Sequence, residues 1–379
     1  MKILVIPDKF KQSLNAARVS DAIEIGIKNI LGDNAEIVKI PIADGGEGSI
    51  SVLESILGLD RKYLNVYDPL CNVIETYYSY KNNLSYIELA KASGLDLIEK
   101  RKQNPLNTST YGTGQLIKDS IQEGHKEINL FIGGSATNDF GTGIASALGY
   151  KFLNRFNEKV DPIGKNLIEI TSFDDSSVIN HKDVTFNVLT DVSNTLYGPD
   201  GAAYIYSRQK GADESATKLL DDGLINISRL VQNKFGVDVS NIPGSGAAGG
   251  VGGGMIAFFN AAIFSGINTV INLLNVRNRI KESEYVFTGE GMLDEQTLKG
   301  KAVKAIIDLC KEYNKPLGIL CGQSKLNDYE LARENIFVEE IRTENISEYE
   351  SMKFAYQYLI DRSETLIKRL HGCNVEKSK

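Results

Sequence analysis

The sequence predicts an α/β protein: a Rossmann-like parallel-sheet domain with a second α/β domain inserted in its chain. At both ends of the chain, short apolar runs alternate with segments of helical periodicity, beginning with "KILVIP" and residues 15–31. Between these ends the pattern changes to successive strand-like runs and long glycine-rich loops. We therefore expect the two ends to share one parallel sheet.

The elements of this sheet follow one another along both ends of the chain. After the first strand and helix, "EIVKIPI" is a strand-like run and residues 50–58 are helical in pattern. The last third continues with "EYVFTGEG", a helix over 300–313, "PLGILCG", "IFVEEI" and a helix over about 347–370.

The middle of the chain has a different character. The runs "KYLNVYDPL", "NVIETYYSYKN" and "LSYIELA" predict consecutive antiparallel strands. We expect residues 1–60 and 282–379 to form one discontinuous Rossmann-like domain, and residues 61–281 to form the inserted mixed α/β domain. Ligands of such folds bind beyond the carboxyl ends of strands or in clefts between domains.

Composition excludes several classes of protein. The 379 residues carry a net charge of -7 without a Lys/Arg-rich block, which argues against nucleic-acid binding. Four cysteines without a CxxC pair and three histidines give no zinc spacing. No signal sequence and no apolar run of about 20 residues is present. We expect a reduced, cytoplasmic enzyme, monomeric or homodimeric, that contacts no membrane.

Glycine-rich runs follow several predicted strands: "ADGGEG", "FIGGSATNDFGTG", "TGEGMLDEQTLKGK" and "PGSGAAGGVGGG". Glycine lets backbone amides surround an anion, so these runs favour phosphate or carboxylate binding over plain turns. The P-loop spacing is absent, and "GSGAAG" lacks both a preceding strand and a following acid, so a dinucleotide site there is disfavoured. Residues 241–281 contain no acid, which suits either an anion at the start of a helix over 255–264 or a buried packing helix.

Carboxylates also follow the predicted strands, and two lie in the short stretch "PIADGGEGS". One of these acids taken alone suits a helix cap or a turn. Acids at several strand ends favour Mg²⁺ coordination and general-base chemistry. A nearby lysine, Lys11 or Lys210, would screen phosphate charge. The strand-end acids are Asp8, Asp44, Asp139, Asp191, Glu290 and Asp294.

Nine ordered blocks resemble the bacterial glycerate kinases of the first type, among them "PIADGGEG", "NPLNTSTYGTGQLI", "IGGSATNDFGTGIASALG" and "TDVSNTLYGPDGAA". The resemblance covers about 300 residues in chain order. It implies transfer of the γ-phosphoryl group of ATP to D-glycerate with Mg²⁺, in a two-domain α/β fold with the active site between the domains. It favours 2-phosphoglycerate as the product.

The resemblance also implies roles for individual residues. Asp191 would be the base and Lys11 the charge stabiliser. The expected substrate-binding residues are Ser93, Gly133, Gly134, Ser135, Asn138 and Asp139. The expected nucleotide- or phosphate-binding residues are Asp8, Gly45, Gly46, Gly289, Gly291 and Gln296. The expected metal ligands are Asp44, Glu47, Glu290 and Asp294.

The chain departs from the family pattern at a few positions. Met292 stands where the family usually has arginine, and Lys9 or Arg208 is a candidate to compensate for that phosphate contact. Two other classes of protein fit the sequence less well. A nicotinamide-dependent oxidoreductase is disfavoured by the missing acid after "GSGAAG", and an organic-anion sensor would need a signalling element that the sequence does not show.

Overall fold

The fold is seen in a computed structural model that describes residues 1–42, 46, 48–294, 297, 302–326, 331, 334–343 and 345–377, with side chains described to residue 372. Its strands are β1 (Lys2–Val5), β2 (Glu36–Lys39), β3 (Asp60–Tyr67), β4 (Val73–Lys81), β5 (Leu84–Glu88), β6 (Glu127–Phe131), β7 (Lys151–Leu153), β8 (Ser172–Asp174), β9 (Thr185–Leu189), β10 (Ala262–Phe264), β11 (Tyr285–Leu293), β12 (Leu317–Ser324) and β13 (Ile336–Glu340).

Its α-helices are α1 (Ala16–Leu31), α2 (Ser49–Leu57), α3 (Ala90–Ser93), α4 (Tyr111–Gln122), α5 (Thr142–Leu148), α6 (Ala202–Tyr206), α7 (Glu214–Phe235), α8 (Ala247–Phe259), α9 (Gly266–Leu273), α10 (Val276–Glu282), α11 (Ala302–Glu312), α12 (Glu348–Lys353) and α13 (Ala355–Lys377). No helix in these described ranges is long and apolar enough to cross a bilayer.

The described chain forms two compact units. The first unit comprises residues 1–44 and 267–379, and the second comprises residues 45–266. In the first unit a parallel sheet has the strand order β13-β12-β11-β1-β2, so that strands from both chain ends pair directly. Apolar side chains of β1, α1 and α13, such as Ile3, Ile23 and Leu366, are fully buried together. The shared parallel sheet is as expected from the sequence.

The second unit contains a six-stranded sheet in the order β10-β9-β6-β5-β4-β3. The strands β10, β9, β6 and β5 are parallel, while β5, β4 and β3 are antiparallel neighbours. The three antiparallel strands predicted in the middle of the chain are therefore confirmed. Strands β7 and β8 form a separate antiparallel pair.

Two predicted helices have different limits. The helix expected over 255–264 ends at Phe259, because Asn260 adopts a left-handed conformation with φ 53° and terminates it. Residues 262–264 then form β10, which pairs with β9 and extends the sheet. The final helix is interrupted at Phe354, with φ -107° and ψ 17°, and so consists of α12 and α13.

The boundaries between the two units also differ from the predicted boundaries of 60/61 and 281/282. Helix α2 packs against β5 and so belongs to the second unit, whereas α10 packs against β1 and α11 of the first unit. The boundaries between the units therefore lie at 44/45 and 266/267. That the chain consists of one discontinuous folding domain with another inserted in it remains a proposal.

Candidate active site

Three neighbouring parallel strands of the second unit, β5, β6 and β9, end at the same edge of the sheet. The loops after β5 and β6 are joined there by backbone hydrogen bonds. The amide of Ala136 donates to the Ser93 carbonyl at 2.9 Å, and the amide of Leu95 donates to the Gly134 carbonyl at 2.9 Å. The loop after β6 contains the predicted substrate-binding residues Gly133, Gly134, Ser135, Asn138 and Asp139.

The side chain of Asp139 is fully buried and fixes the end of this loop to the start of α5. Its carboxylate accepts hydrogen bonds from the Thr110 amide and hydroxyl, both at 2.8 Å. It also accepts from the amides of Gly141 at 3.1 Å and Gly143 at 3.3 Å. Burial raises the pKa of Asp139, and the four donors oppose that rise. The carboxylate thus satisfies otherwise unpaired amides at the helix start.

The glycine-rich segment "PGSGAAGG" packs directly on the same loop. The Phe140 amide donates to the Gly249 carbonyl at 3.1 Å. Gly249 has a φ of 73°, and a Cβ atom at this position would lie 2.1 Å from the carbonyl oxygen of Thr137. Only glycine permits this approach, so the glycines here form a close backbone contact between the two loops. The amide of Gly246 also donates to the carbonyl of Asn194, at 3.1 Å, in the loop after β9.

Lys210 is buried and directs its ammonium group into the loop after β6. Its Nζ donates to Ser135 Oγ at 3.1 Å and to the Thr137 carbonyl at 2.7 Å. Burial lowers the pKa of Lys210 to about 7, although the charge of Asp139 acts in the opposite direction. Within the described ranges no carboxylate forms an ion pair with this ammonium group. A buried cation in this position favours binding of an anion.

Two further polar side chains in these loops are buried without satisfied hydrogen bonds. Both atoms of the Asn138 amide group lack a partner among the residues that the structure describes, and so does the hydroxyl of Ser245. The two residues are at most 1% exposed. Because buried polar groups are nearly always paired, these atoms are available for a ligand or for bound water.

Asp191 lies in the loop after β9 and is partly exposed, unlike Asp139. Its Oδ1 atom accepts a hydrogen bond from Ser265 Oγ at 2.6 Å. The amide of Thr190 donates to the Phe264 carbonyl at 3.0 Å, which keeps the ends of β9 and β10 together. A short charge-assisted hydrogen bond of this kind orients the carboxylate.

The first unit has its own group of polar residues at the carboxyl ends of β1 and β11. The Asp8 amide donates to the Gly289 carbonyl at 2.9 Å, and Asp8 Oδ1 accepts from the Lys9 amide at 2.6 Å. Glu290, on β11, is 8% exposed. A cavity of about 370 Å³ is lined by Asp8, Lys9 and Glu290 together with Lys11 and Gly291.

A sequence model described as the glycerate kinase family matches residues 3–371 of the chain. The chain belongs to this family. It is 40% identical over 323 residues to a glycerate kinase of Halalkalibacterium halodurans, covering 84% of this chain and 85% of that protein. It is 37% identical to the glycerate 2-kinase of Escherichia coli over 325 residues, or 85% of each chain.

A solved structure of the same family is also similar. The crystal structure of a candidate glycerate kinase 2 from Salmonella typhimurium LT2 has a TM-score of 0.84 and 31% identity, and the match covers 99% of both chains. The mixed α/β fold with parallel sheets is thus shared with this family. The chain is an ATP-dependent kinase with an alcohol acceptor.

Some predicted site residues cannot be placed in this geometry. Asp44, Gly45, Glu47 and Gln296 lie outside the described residues. Gly46 is described, and its Cα atom would lie 2.6 Å from a Cβ added at Gly133, so Gly46 lies against the loop after β6.

Among the predicted metal ligands, Glu290 and Asp294 are described. Asp294 Oδ1 accepts from the Thr297 amide at 3.2 Å. In the described part of the chain, no three His, Cys, Asp or Glu side chains are grouped to hold a metal ion. Mg²⁺ commonly takes only one or two protein carboxylates together with phosphate oxygens, so the oxygen donors of Glu290 and Asp294 fit it.

Several residues that these contacts single out are not marked as site residues by the sequence. Ser245 and Ser265 lack any signal beyond their place in glycine-rich or apolar stretches. Lys210 was noted only as a cation, because its burial depends on packing between distant segments. Met292 lines the cavity of the first unit together with Lys9, and Arg208 belongs to the second unit.

Proposed function

We propose that this chain phosphorylates D-glycerate at the C2 hydroxyl, with ATP as the phosphoryl donor and 2-phosphoglycerate as the product. The observation that supports this choice most directly is the buried ammonium group of Lys210, which donates to Ser135 Oγ and to the Thr137 carbonyl. Family membership and the 2-kinase of Escherichia coli support the acceptor and its position.

The carboxylate of glycerate binds in the loop after β6. Lys210 provides the charge, and the Asn138 amide provides a hydrogen-bond donor that has no partner among the described residues. The backbone at Gly133 and Gly134 permits close approach of the substrate. Asp139 contributes by fixing the loop to α5, and Ser93 by its carbonyl contact with Ala136.

Asp191 accepts the proton of the C2 hydroxyl as that oxygen attacks the γ-phosphorus. Ser265 holds the carboxylate by donating to Oδ1. Phosphoryl transfer depends mainly on positioning and charge neutralisation, so an oriented carboxylate is a sufficient base.

The first unit binds the phosphates of ATP. The backbone at Gly289 and Gly291, the carboxylate of Asp8 and the ammonium of Lys11 are assigned to this side, because they surround one cavity or border it. Glu290 and Asp294 would hold Mg²⁺, with Asp44 and Glu47 from outside the described residues. The ion would neutralise phosphate charge. Gly45, Gly46 and Gln296 complete the proposed phosphate contacts.

The proposal also includes a cytoplasmic location and a monomeric or homodimeric state. Neither affects the test of activity, which uses the purified full chain.

Consumption of ATP with a panel of small alcohols tests the activity. We expect turnover with D-glycerate and little with glycerol, since glycerol lacks the carboxylate that Lys210 binds. Lys210→Met should raise the KM for glycerate at least tenfold while changing the KM for ATP less than twofold, because a hydrogen bond to a charged group contributes about 1.5–3 kcal/mol. Equal turnover of glycerol and glycerate, or no ATP consumption with any alcohol, would reject the proposal.

A further inference from the structure

The cavity of the first unit lies where an open parallel sheet usually binds its ligand. It is lined by residues that follow β1 and β13 and by the last residues of β11 and β12, and these four strands are neighbours in the sheet. The carboxyl ends of parallel strands are the common ligand site of such sheets. Its volume of about 370 Å³ is within the usual range for a small-molecule site.

The lining of this cavity combines apolar and charged side chains. Phe10, Ile341 and Met352 provide apolar surface. Three cations, Lys9, Lys11 and Arg342, and three carboxylates, Asp8, Glu290 and Glu348, also line it. Such balanced charge does not suit a bare phosphate ion. It suits a molecule that has a flat apolar ring, hydroxyl groups and phosphates on a single frame.

A tight turn after β1 forms one wall of the cavity. The Phe10 amide donates to the Leu14 carbonyl at 2.8 Å, and Gln12 adopts a left-handed conformation with φ 62°. Ser13 Oγ donates to the Met352 carbonyl at 2.7 Å and so ties the turn to the end of α12. These contacts fix Phe10 and the two flanking lysines on the side of the cavity that follows β1.

Arg342 lies on the side that follows β13. The Arg342 amide donates to the Gly322 carbonyl at 3.0 Å, which fixes its backbone. Its Nη1 is 3.4 Å from both Gln323 Oε1 and Glu348 Oε2, and its side chain is 37% exposed. Long contacts of this kind are weak, so the guanidinium group can exchange them for a phosphate or ribose oxygen.

We infer that the adenosine moiety of ATP binds in this cavity, with Phe10, Ile341 and Met352 against the base, and Arg342 and Lys9 among the polar contacts to the ribose and phosphates. This inference rests on the proposed kinase function for the identity of the nucleotide. It assigns the nucleoside subsite to residues of the last third of the chain, among them Ile341, Arg342 and Met352.

Direct titration of ATP into the full chain, with Mg²⁺ and without glycerate, tests the site. Met352→Trp fills the cavity, and we expect it to weaken ATP binding at least tenfold. Phe354→Trp is the matched control, because Phe354 is exposed, lies two residues away and does not line the cavity. We expect the control to bind ATP within twofold of the parent chain.

A second pair of variants tests charge, because each replaces an arginine with the neutral side chain of methionine. Arg342→Met should weaken ATP binding about tenfold, whereas Arg277→Met should not change it. Arg277 is a matched arginine of the same unit, with Nη1 at 3.3 Å from Glu312 and 47% side-chain exposure, and it does not line the cavity. Thermal unfolding of each variant should show one transition near that of the parent. If one of the two cavity variants, Met352→Trp or Arg342→Met, does not unfold in this way, the other variant decides the test.

The third experiment measures competition between adenosine and ATP. In the parent chain adenosine should compete with ATP, and Met352→Trp should abolish the competition. Unchanged ATP binding in both folded cavity variants, or no competition by adenosine, would overturn the inference while leaving glycerate phosphorylation intact. Conversely, cavity-dependent ATP binding without any turnover of glycerate would contradict the proposed function and support this site.

Discussion

The loops after β6 and β9 each contain a carboxylate that the sequence analysis placed in the active site, yet the two side chains have very different surroundings. Asp139, in the loop after β6, is fully buried and accepts four hydrogen bonds from Thr110, Gly141 and Gly143. Asp191, after β9, is partly exposed, and its Oδ1 atom accepts a hydrogen bond from the Ser265 hydroxyl.

This difference separates two ways in which an acid at a strand end contributes to a site. A carboxylate whose lone pairs are taken by backbone amides stabilises the loop and has little capacity left for a substrate. A carboxylate with an orienting hydroxyl and an accessible side can receive a proton. The proposed function therefore assigns the chemistry to Asp191 and the shape of the loop to Asp139.

The largest effect should come from Asp191→Asn, which removes the proton acceptor and keeps the volume of the side chain. We expect kcat to fall by about 10² to 10⁴ with the KM for glycerate within threefold, since general-base catalysis contributes about that much. Steady-state kinetics measure both kcat and the KM for glycerate. Asp183→Asn is the control, because Asp183 is exposed at the amino end of the same strand; equal losses in both variants would remove Asp191 from the role.

Asp139→Ala should instead act on stability. It leaves amides and a hydroxyl without their acceptor in a buried place, so we expect the free energy of unfolding to fall by about 3 kcal/mol or more. Urea unfolding of the two variants measures the contrast, with Asp191→Ala expected to lose less than about 1 kcal/mol. If Asp191→Ala were the more destabilising of the two, the distinction between the loops would be wrong.

Lys210 provides a further test of the difference between the two loops, because it donates hydrogen bonds to the loop that Asp139 fixes. Burial lowers its pKa to about 7, so the side chain of the free protein is charged below that pH and neutral above it. A carboxylate binds the charged form, and the KM for glycerate should therefore be flat below about pH 7 and rise by up to about tenfold per pH unit above it.

The variant Lys210→Arg keeps its charge throughout this range and should flatten the profile. Steady-state KM values between pH 6 and 9 measure both proteins. A profile that is flat in the parent chain, or one that rises equally in the arginine variant, would exclude Lys210 as the titrating group.

The smallest effect should be that of Ser265→Ala. The substitution removes the hydroxyl that donates to Asp191 Oδ1 but leaves the base in place. We expect kcat to fall about three- to tenfold with little change in KM, in line with about 1 kcal/mol for one hydrogen bond. A loss as large as that of Asp191→Asn would show that the serine does more than orient the carboxylate.

Much of the fold follows from local patterns in the sequence. Apolar runs at both chain ends predicted β1, β11, β12 and β13, and the alternating runs in the middle predicted β3, β4 and β5. Strand β10 was missed because its three residues continue an apolar helix, and only the left-handed Asn260 and pairing with β9 separate them. Such pairing is a tertiary effect that a local pattern does not contain.

The site was predictable in its residue types but not in their environments. Glycines and acids after strands marked Gly133, Asp139 and Asp191 as candidates. Whether such an acid is saturated by amides depends on Thr110, which lies 29 positions earlier in the chain. The burial of Lys210 likewise depends on Ser135 and Thr137, more than 70 positions away. These contacts arise only when the loops pack together.

The central claim is that the C2 hydroxyl of glycerate receives the phosphoryl group. Its most direct test is to incubate the full chain with D-glycerate, ATP and Mg²⁺ in the presence of enolase and to follow phosphoenolpyruvate by absorbance. Enolase acts directly on 2-phosphoglycerate, so we predict that phosphoenolpyruvate forms in step with the consumption of ATP. Consumption of ATP with phosphoenolpyruvate appearing only after a phosphoglycerate mutase is added would show that the C3 hydroxyl is the acceptor and contradict the account.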